Sequence, residues 1–130
     1  MGLSDRAPPR LAILTRRSDF LAANRGLRIA RPGFVLLARP NEAEQVRFGI
    51  TVTKRIGNAV VRNRMKRRFR ELLRDLLPQH GLAATDHVLI GREGGVERDF
   101  ALLRTELLAA LERAAVGKGD PPRRHPGKKR

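Results

Sequence analysis

The chain has 130 residues with no cysteine, tryptophan or tyrosine, and its 28 Lys+Arg against 13 Asp+Glu leave a net charge of +15. A chain this short supports one compact core with tails rather than two domains, and zero Cys excludes disulfide frameworks and thiolate metal sites. No apolar run nears the ~18 residues of a membrane span, and residues 1–10 lack a signal-peptide core, so a cytoplasmic protein with no membrane partner is expected. So large a positive charge calls for a polyanion, nucleic acid by default. Lys accounts for 5 of the 28 basic residues, leaving 23 Arg, whose guanidinium forks suit phosphate oxygens and base edges.

Residues 1–10, with Pro8 and Pro9, read as an unstructured tail. Ser18 is placed to cap a short helix over Asp19–Arg25 that Gly26 ends. Leu27–Ala30 and Phe34–Ala38 are apolar runs split by Arg31-Pro32-Gly33, which predicts two strands around a turn. Residues 46–53 alternate, with Val46, Phe48, Ile50 and Val52 on one face and Arg47, Gly49, Thr51 and Thr53 on the other. Gly49 leaves room on that second face for something to approach the backbone.

The spacing of Val61, Met65, Phe69, Leu72 and Leu76 predicts a helix over Ala59–Leu77, capped by Asn58 and ended by Pro78 with Gly81. His87–Gly91 is a short apolar strand. Phe100, Leu103, Leu107, Leu111 and Ala114 form one helical stripe, capped by Asp99 or by the Gly94-Gly95 loop. Phe34, Phe48, Phe69 and Phe100 all fall on apolar faces and are expected in the core. Gly117–Arg130, with three Pro and six basic residues, reads as a cationic tail. The expected architecture is a two-layer α/β domain over 11–116, in the order α-β-β-β-α-β-α, with a small, mostly four-stranded sheet.

Residues 54–70 (KRIGNAVVRNRMKRRFR) hold eight basic residues and no acid. On the helical wheel Arg62, Asn63, Lys66, Arg67, Arg70 and Arg74 lie opposite the apolar stripe, and Arg64 and Arg68 flank it. Like charges at i,i+4 destabilise an isolated helix by ~0.2–0.5 kcal/mol per pair, so the face needs a partner that offsets the repulsion. A solvated surface would instead mix Glu with Lys, and the first acid here is Glu71. Lys54 and Arg55 precede the helix, and its N-terminus adds partial positive charge to the junction. Asn63 is the one short polar residue among them, too few for a helix that reads base edges in DNA.

The run FGITVTKRIGNAVVRNRMKRRFRE, residues 48–71, resembles the signature of the bacterial ribonuclease P protein subunit, with Arg62-Asn63-Arg64 as its R-N-R core followed by Lys66, Arg67 and Arg70. The likeness extends over roughly residues 10–115 and includes the Arg16 to Phe20 approach to the first helix. It implies a noncatalytic protein cofactor of an RNA enzyme that uses Mg²⁺, held mainly by the RNA, to remove the 5′ leader from precursor tRNA. The protein would aid substrate binding and lower the Mg²⁺ requirement, as a monomer, one per RNA. The implied fold has a left-handed crossover through the basic helix, a feature periodicity cannot show because about 98% of such connections are right-handed.

By the same resemblance Lys54, Arg55, Asn58, Arg62, Asn63, Arg64, Lys66, Arg67 and Arg70 contact the catalytic RNA subunit, and the R-N-R segment holds a nearby metal. Phe20, with Arg62 and Asn63, faces the single-stranded leader in a cleft between the first helix and the sheet. Phe20 has a second reading as an ordinary core residue. Asn24 and Leu37 stand where relatives often carry aromatics, so this cleft is less aromatic than usual. The alternative function is a structural, ribosomal-type RNA-binding protein, and a nucleoid-type DNA binder comes third. His80, His87 and His125 are scattered, and no carboxylate pair stands at two-metal spacing, so no catalytic residue is assigned to the protein itself.

Overall fold

The computed structural model describes residues 11–120; the tails expected over 1–10 and 121–130 lie outside the described residues. Five strands and three helices follow in the order β1 (Leu11–Ile13), α1 (Arg17–Ala23), β2 (Leu27–Ala30), β3 (Phe34–Pro40), β4 (Val46–Thr51), α2 (Ala59–His80), β5 (Thr85–Gly91) and α3 (Phe100–Ala115). One-turn 3₁₀ segments at Lys54–Ile56 and Glu93–Gly95 lead into α2 and α3.

The strands form a single sheet in the order β1-β4-β5-β3-β2. β4 lies parallel to both β1 and β5, whereas β3 runs antiparallel to β5 and β2. Adjacent parallel strands need a crossover, and α2 is that crossover between β4 and β5. Alternation along the central strands gives the sheet two apolar faces. Phe34, Leu36, Ala38, Phe48 and Leu89 pack under α2 and α3 in the main core with Met65, Phe69, Leu72, Leu76, Leu103 and Leu107. Val35, Leu37 and Val88 face the other way and pack with Leu14, Ala23 and Phe20 under α1. Gly91 permits the close seating of α2, because a Cβ there would collide with the Met65 sulfur.

Several expectations need correction. The sheet has five strands, not four: β1 is only three residues long, too short to show alternation, and exists because Leu11 and Ile13 pair with Val46 and Phe48. α1 begins at Arg17 and ends at Ala23, so Ser18 lies inside it; Arg16 is the N-cap and supplies no side-chain bond. α2 continues through Pro78 to His80. Proline removes only the bond to the Arg74 carbonyl, and with Leu76 and Leu77 buried the last turn still closes through Gly81 N–H to Leu77 O at 2.9 Å. Asp99, not the glycine pair, caps α3 by accepting from Leu102 N–H at 3.1 Å.

Phe34, Phe48 and Phe69 are buried as expected, but Phe100 is 38% exposed. As the first residue of α3 it lies at the margin of the stripe, with the Arg68 guanidinium 5.7 Å from its ring centroid. Gly117–Asp120, assigned by composition to the tail, is tied to the sheet edge instead. Asp120 N–H donates to Arg28 O at 2.8 Å, and its carboxylate accepts from Ala30 N–H at 2.7 Å, occupying the free edge of β2. Among the described residues no helix is long and apolar enough to cross a membrane.

Candidate nucleic-acid interface

Asn58 fixes where the basic helix starts. Its Oδ1 accepts from Val61 N–H at 3.0 Å, and its carbonyl accepts from Arg62 N–H at 2.9 Å. That gives Asn58 a structural duty as the cap of α2 besides any contact it makes outward. Burial of Met65, Phe69, Leu72, Leu73, Leu76 and Leu77 then orients the cylinder. Lys54, Arg55, Asn63, Arg64, Arg67 and Arg70 are exposed, while Arg62 and Lys66 are half-buried along the flank. The sequence-derived cationic residues are therefore all exposed or half-buried from the turn ahead of α2 to Arg70.

Within the described residues none of Lys54, Arg55, Arg62, Arg64, Lys66, Arg67 and Arg70 takes part in an ion pair. Arg68 is different. Its guanidinium donates to the Arg98 carbonyl and covers Phe100, so it fastens α2 to α3. Arg98 is held in turn by two bonds to Glu106, at 2.9 and 2.7 Å.

On the opposite side of the sheet, α1 overhangs a cavity of about 440 Å³ whose walls include Phe20, Leu21, Leu37, Val88 and Ile90, with Arg17, Asn24 and Thr51 at polar positions. The space that Gly49 leaves on β4 is filled by Phe20: a Cβ on Gly49 would stand 2.5 Å from Phe20 Cε1 and 2.6 Å from Cζ. The Phe20 ring is thus packed on the strand and also lines the cavity. Arg62 and Asn63 are not part of this wall, because α2 packs on the other face. Thr51 links the two surfaces: it lines the cavity and stands three residues before Lys54, about 10 Å of extended chain.

A buried polar group holds α1 and the sheet in register. Arg47 donates twice to Asp86, at 2.7 and 2.9 Å; Asn41 donates to the same carboxylate at 2.8 Å, and Asp19 of α1 lies 3.8 Å from Arg47. His87, on the opposite face of β5, is fully buried. It accepts from Leu82 N–H at Nε2 (3.1 Å), and Nδ1 donates to Arg47 O (3.0 Å), which defines a neutral tautomer. Burial holds its pKa below the ordinary histidine value. Both groups are thus consumed by structure. Sequence reading missed Arg17 as a lining residue, because an isolated arginine in an arginine-rich chain carries no signal until the fold gives it a cavity.

A family profile described as Ribonuclease P matches residues 9–115. The chain is 74% identical over 113 residues to the ribonuclease P protein component of Erythrobacter litoralis, covering 87% of this chain and 93% of that protein. It is 44% identical over 113 residues to the namesake from Paramagnetospirillum magneticum, covering 82% and 85%. Among solved structures, the Staphylococcus aureus RNase P protein superposes with a TM-score of 0.69 at 28% identity, covering 87% of this chain and all of that one. The Thermotoga maritima RNase P protein gives 0.68 at 31% identity, covering 80% and 97%.

Proposed function

The chain belongs to the ribonuclease P protein family, and from that premise we propose that it assists a catalytic RNA subunit in removing the 5′ leader from precursor tRNA. The observation that carries the reading is the cationic face of α2, free of internal ion pairs among the described residues and fixed by the Asn58 cap. Such a face gains free energy chiefly by displacing counterions from phosphates, which is how it would grip a folded RNA through Lys54, Arg55, Arg62, Arg64, Lys66, Arg67 and Arg70.

The leader, a single strand, suits the α1 cavity. One ring for stacking, an apolar floor and a polar rim accept an unpaired base, and stacking of this kind is worth ~1–3 kcal/mol. A strand leaving the cavity past Thr51 meets Lys54 and the start of α2. Arg62 and Asn63 then act on the leader at that exit, not within the cavity.

From Lys54 to Arg70 the α2 face has no carboxylate, and its exposed Asn63 adds one amide oxygen, so an Mg²⁺ near this face would be held mainly by oxygens of the RNA. Among the described residues no group of three or more His, Asp or Glu gathers at ligand spacing. The ions belong with phosphate oxygens of the RNA. The protein lowers the amount required by supplying fixed positive charge where the two RNAs approach.

The test is cleavage of precursor tRNA by the purified catalytic RNA, with and without the full chain, across a Mg²⁺ series. The chain is expected to shift half-maximal cleavage to lower Mg²⁺ and to cut nothing alone. An unchanged Mg²⁺ curve rejects the proposal, and equally tight binding to ribosomal RNA would favour the ribosomal-type alternative.

A further inference from the structure

A second cavity, of about 560 Å³, opens where the parallel strands β4 and β5 end. It is lined by Thr53, Arg55, Arg92 and Glu93, with Pro32 and Gly94 among the backbone walls. Its volume falls within the ~300–1,000 Å³ of ligand pockets, and the carboxyl ends of parallel strands are where open α/β sheets place ligands. No aromatic residue lines it, so stacking cannot supply its selectivity.

Charge makes the cavity unusual. Two arginines and one glutamate line it, yet among the described residues none of Arg55, Arg92 and Glu93 forms an ion pair. Arg92 is steadied by one bond, from Nη1 to the Arg31 carbonyl at 3.1 Å, which leaves its remaining N–H groups for a ligand. A ligand that answers both signs carries an anion for the arginines and N–H or O–H donors for Glu93. An ionised carboxylate only accepts, so it selects donor edges. Guanine is the base whose pairing edge presents two adjacent N–H donors, at N1 and N2, matching the two oxygens of a carboxylate. Phosphate supplies the anion, and Thr53 offers a hydroxyl to it or to the ribose.

We propose that the cavity between the Lys54–Ile56 and Glu93–Gly95 turns is a site for one unpaired guanosine nucleotide of an RNA strand, its phosphate on Arg55 and Arg92 and its base edge on Glu93. The proposal rests on the reading of the chain as an RNA-binding subunit only in naming RNA as the source. A free guanine nucleotide has the same chemistry and forms a separate arm of the test.

The full-length protein, labelled with ¹⁵N, is titrated with GMP, AMP and inorganic phosphate, and with two single-stranded RNA hexamers that differ by one G-to-A change. GMP is expected to shift the amides of Thr53, Arg92 and Gly94 at several-fold lower concentration than AMP, and the G hexamer to shift the same amides at least as tightly as GMP. Glu93→Gln should abolish the preference for G over A while binding persists, and Arg92→Ala should weaken both nucleotides about tenfold. GMP no tighter than phosphate, or shifts confined to α2, overturns the site. Binding of GMP but not of the hexamer overturns its assignment to RNA. Because no step uses the catalytic RNA or precursor tRNA, failure here is separate from failure of the cleavage assay.

Discussion

Gly49→Ala offers a direct measurement of how the α1 cavity is built. The new methyl would stand 2.5 Å from Phe20 Cε1, whereas carbon atoms rest at ~3.5–4.0 Å, so the ring must retreat by roughly 1 Å. Overpacking of this kind costs ~1–3 kcal/mol, offset by the ~0.5–1 kcal/mol that Ala gains over Gly within a strand. The net expectation is about 1 kcal/mol of destabilisation, or a melting midpoint roughly 4–8 °C lower for a domain of this size. Phe20→Ala removes a half-buried ring and should cost about half of the ~3–5 kcal/mol of a fully buried one. With the ring gone the clash disappears, so Gly49→Ala in that background should be neutral or slightly stabilising. A thermal-denaturation cycle over the four proteins should yield a coupling of ~1–2 kcal/mol, and both single variants should lose affinity for precursor tRNA more than for mature tRNA. Strictly additive melting shifts, or equal loss for both RNAs, would refute the placement of Phe20 between strand and ligand.

Replacing both Arg62 and Arg64 by Ala should raise the Mg²⁺ needed for half-maximal cleavage and flatten the salt dependence of RNA affinity by roughly 0.7–0.9 in log-log slope per lost phosphate contact, read from binding at several salt concentrations. Unaltered slopes would mean neither residue meets phosphate. Stability should fall as pH drops below about 6.5, because the unfolded state protonates at His87 first, while above that pH the group contributes nothing. Urea unfolding at pH 7 and 5.5 checks this, and His87→Gln should reduce the difference. Asp120→Ala leaves Ala30 N–H without its partner and should cost ~1–3 kcal/mol, while truncation after Asp120 should spare stability and weaken general RNA affinity. Equal melting points for Asp120→Ala and wild type would show that the β2 edge does not depend on this residue.

Periodicity and composition located nearly every element because each of those signals is local. A 3.6-residue stripe from Val61 to Leu76, alternation from Val46 to Val52 and an Asn before the helix are properties of neighbouring residues. The errors have the same physical origin. β1 is stable only through pairing with β4, Pro78 is tolerated only because the last turn of α2 is buried, and Phe100 leaves the core because a helix N-terminus sits at the rim of its packing surface. The cationic character of α2 was legible because eight basic residues without an acid fall between Lys54 and Arg70, whereas singling out Arg62-Asn63-Arg64 rested on the family resemblance.

What the chain order alone determined is therefore the cationic face and the kind of partner it requires, since electrostatic repulsion along one helix is settled within seventeen residues. Which side chains line the two cavities was decided by tertiary structure. Phe20 meets Gly49 across nearly thirty positions, and Arg55 shares a cavity with Arg92 and Glu93 only because α2 returns the chain to a parallel neighbour of β4. Contacts made by strand order and crossover depend on packing energies summed over the whole domain, and no local pattern records them.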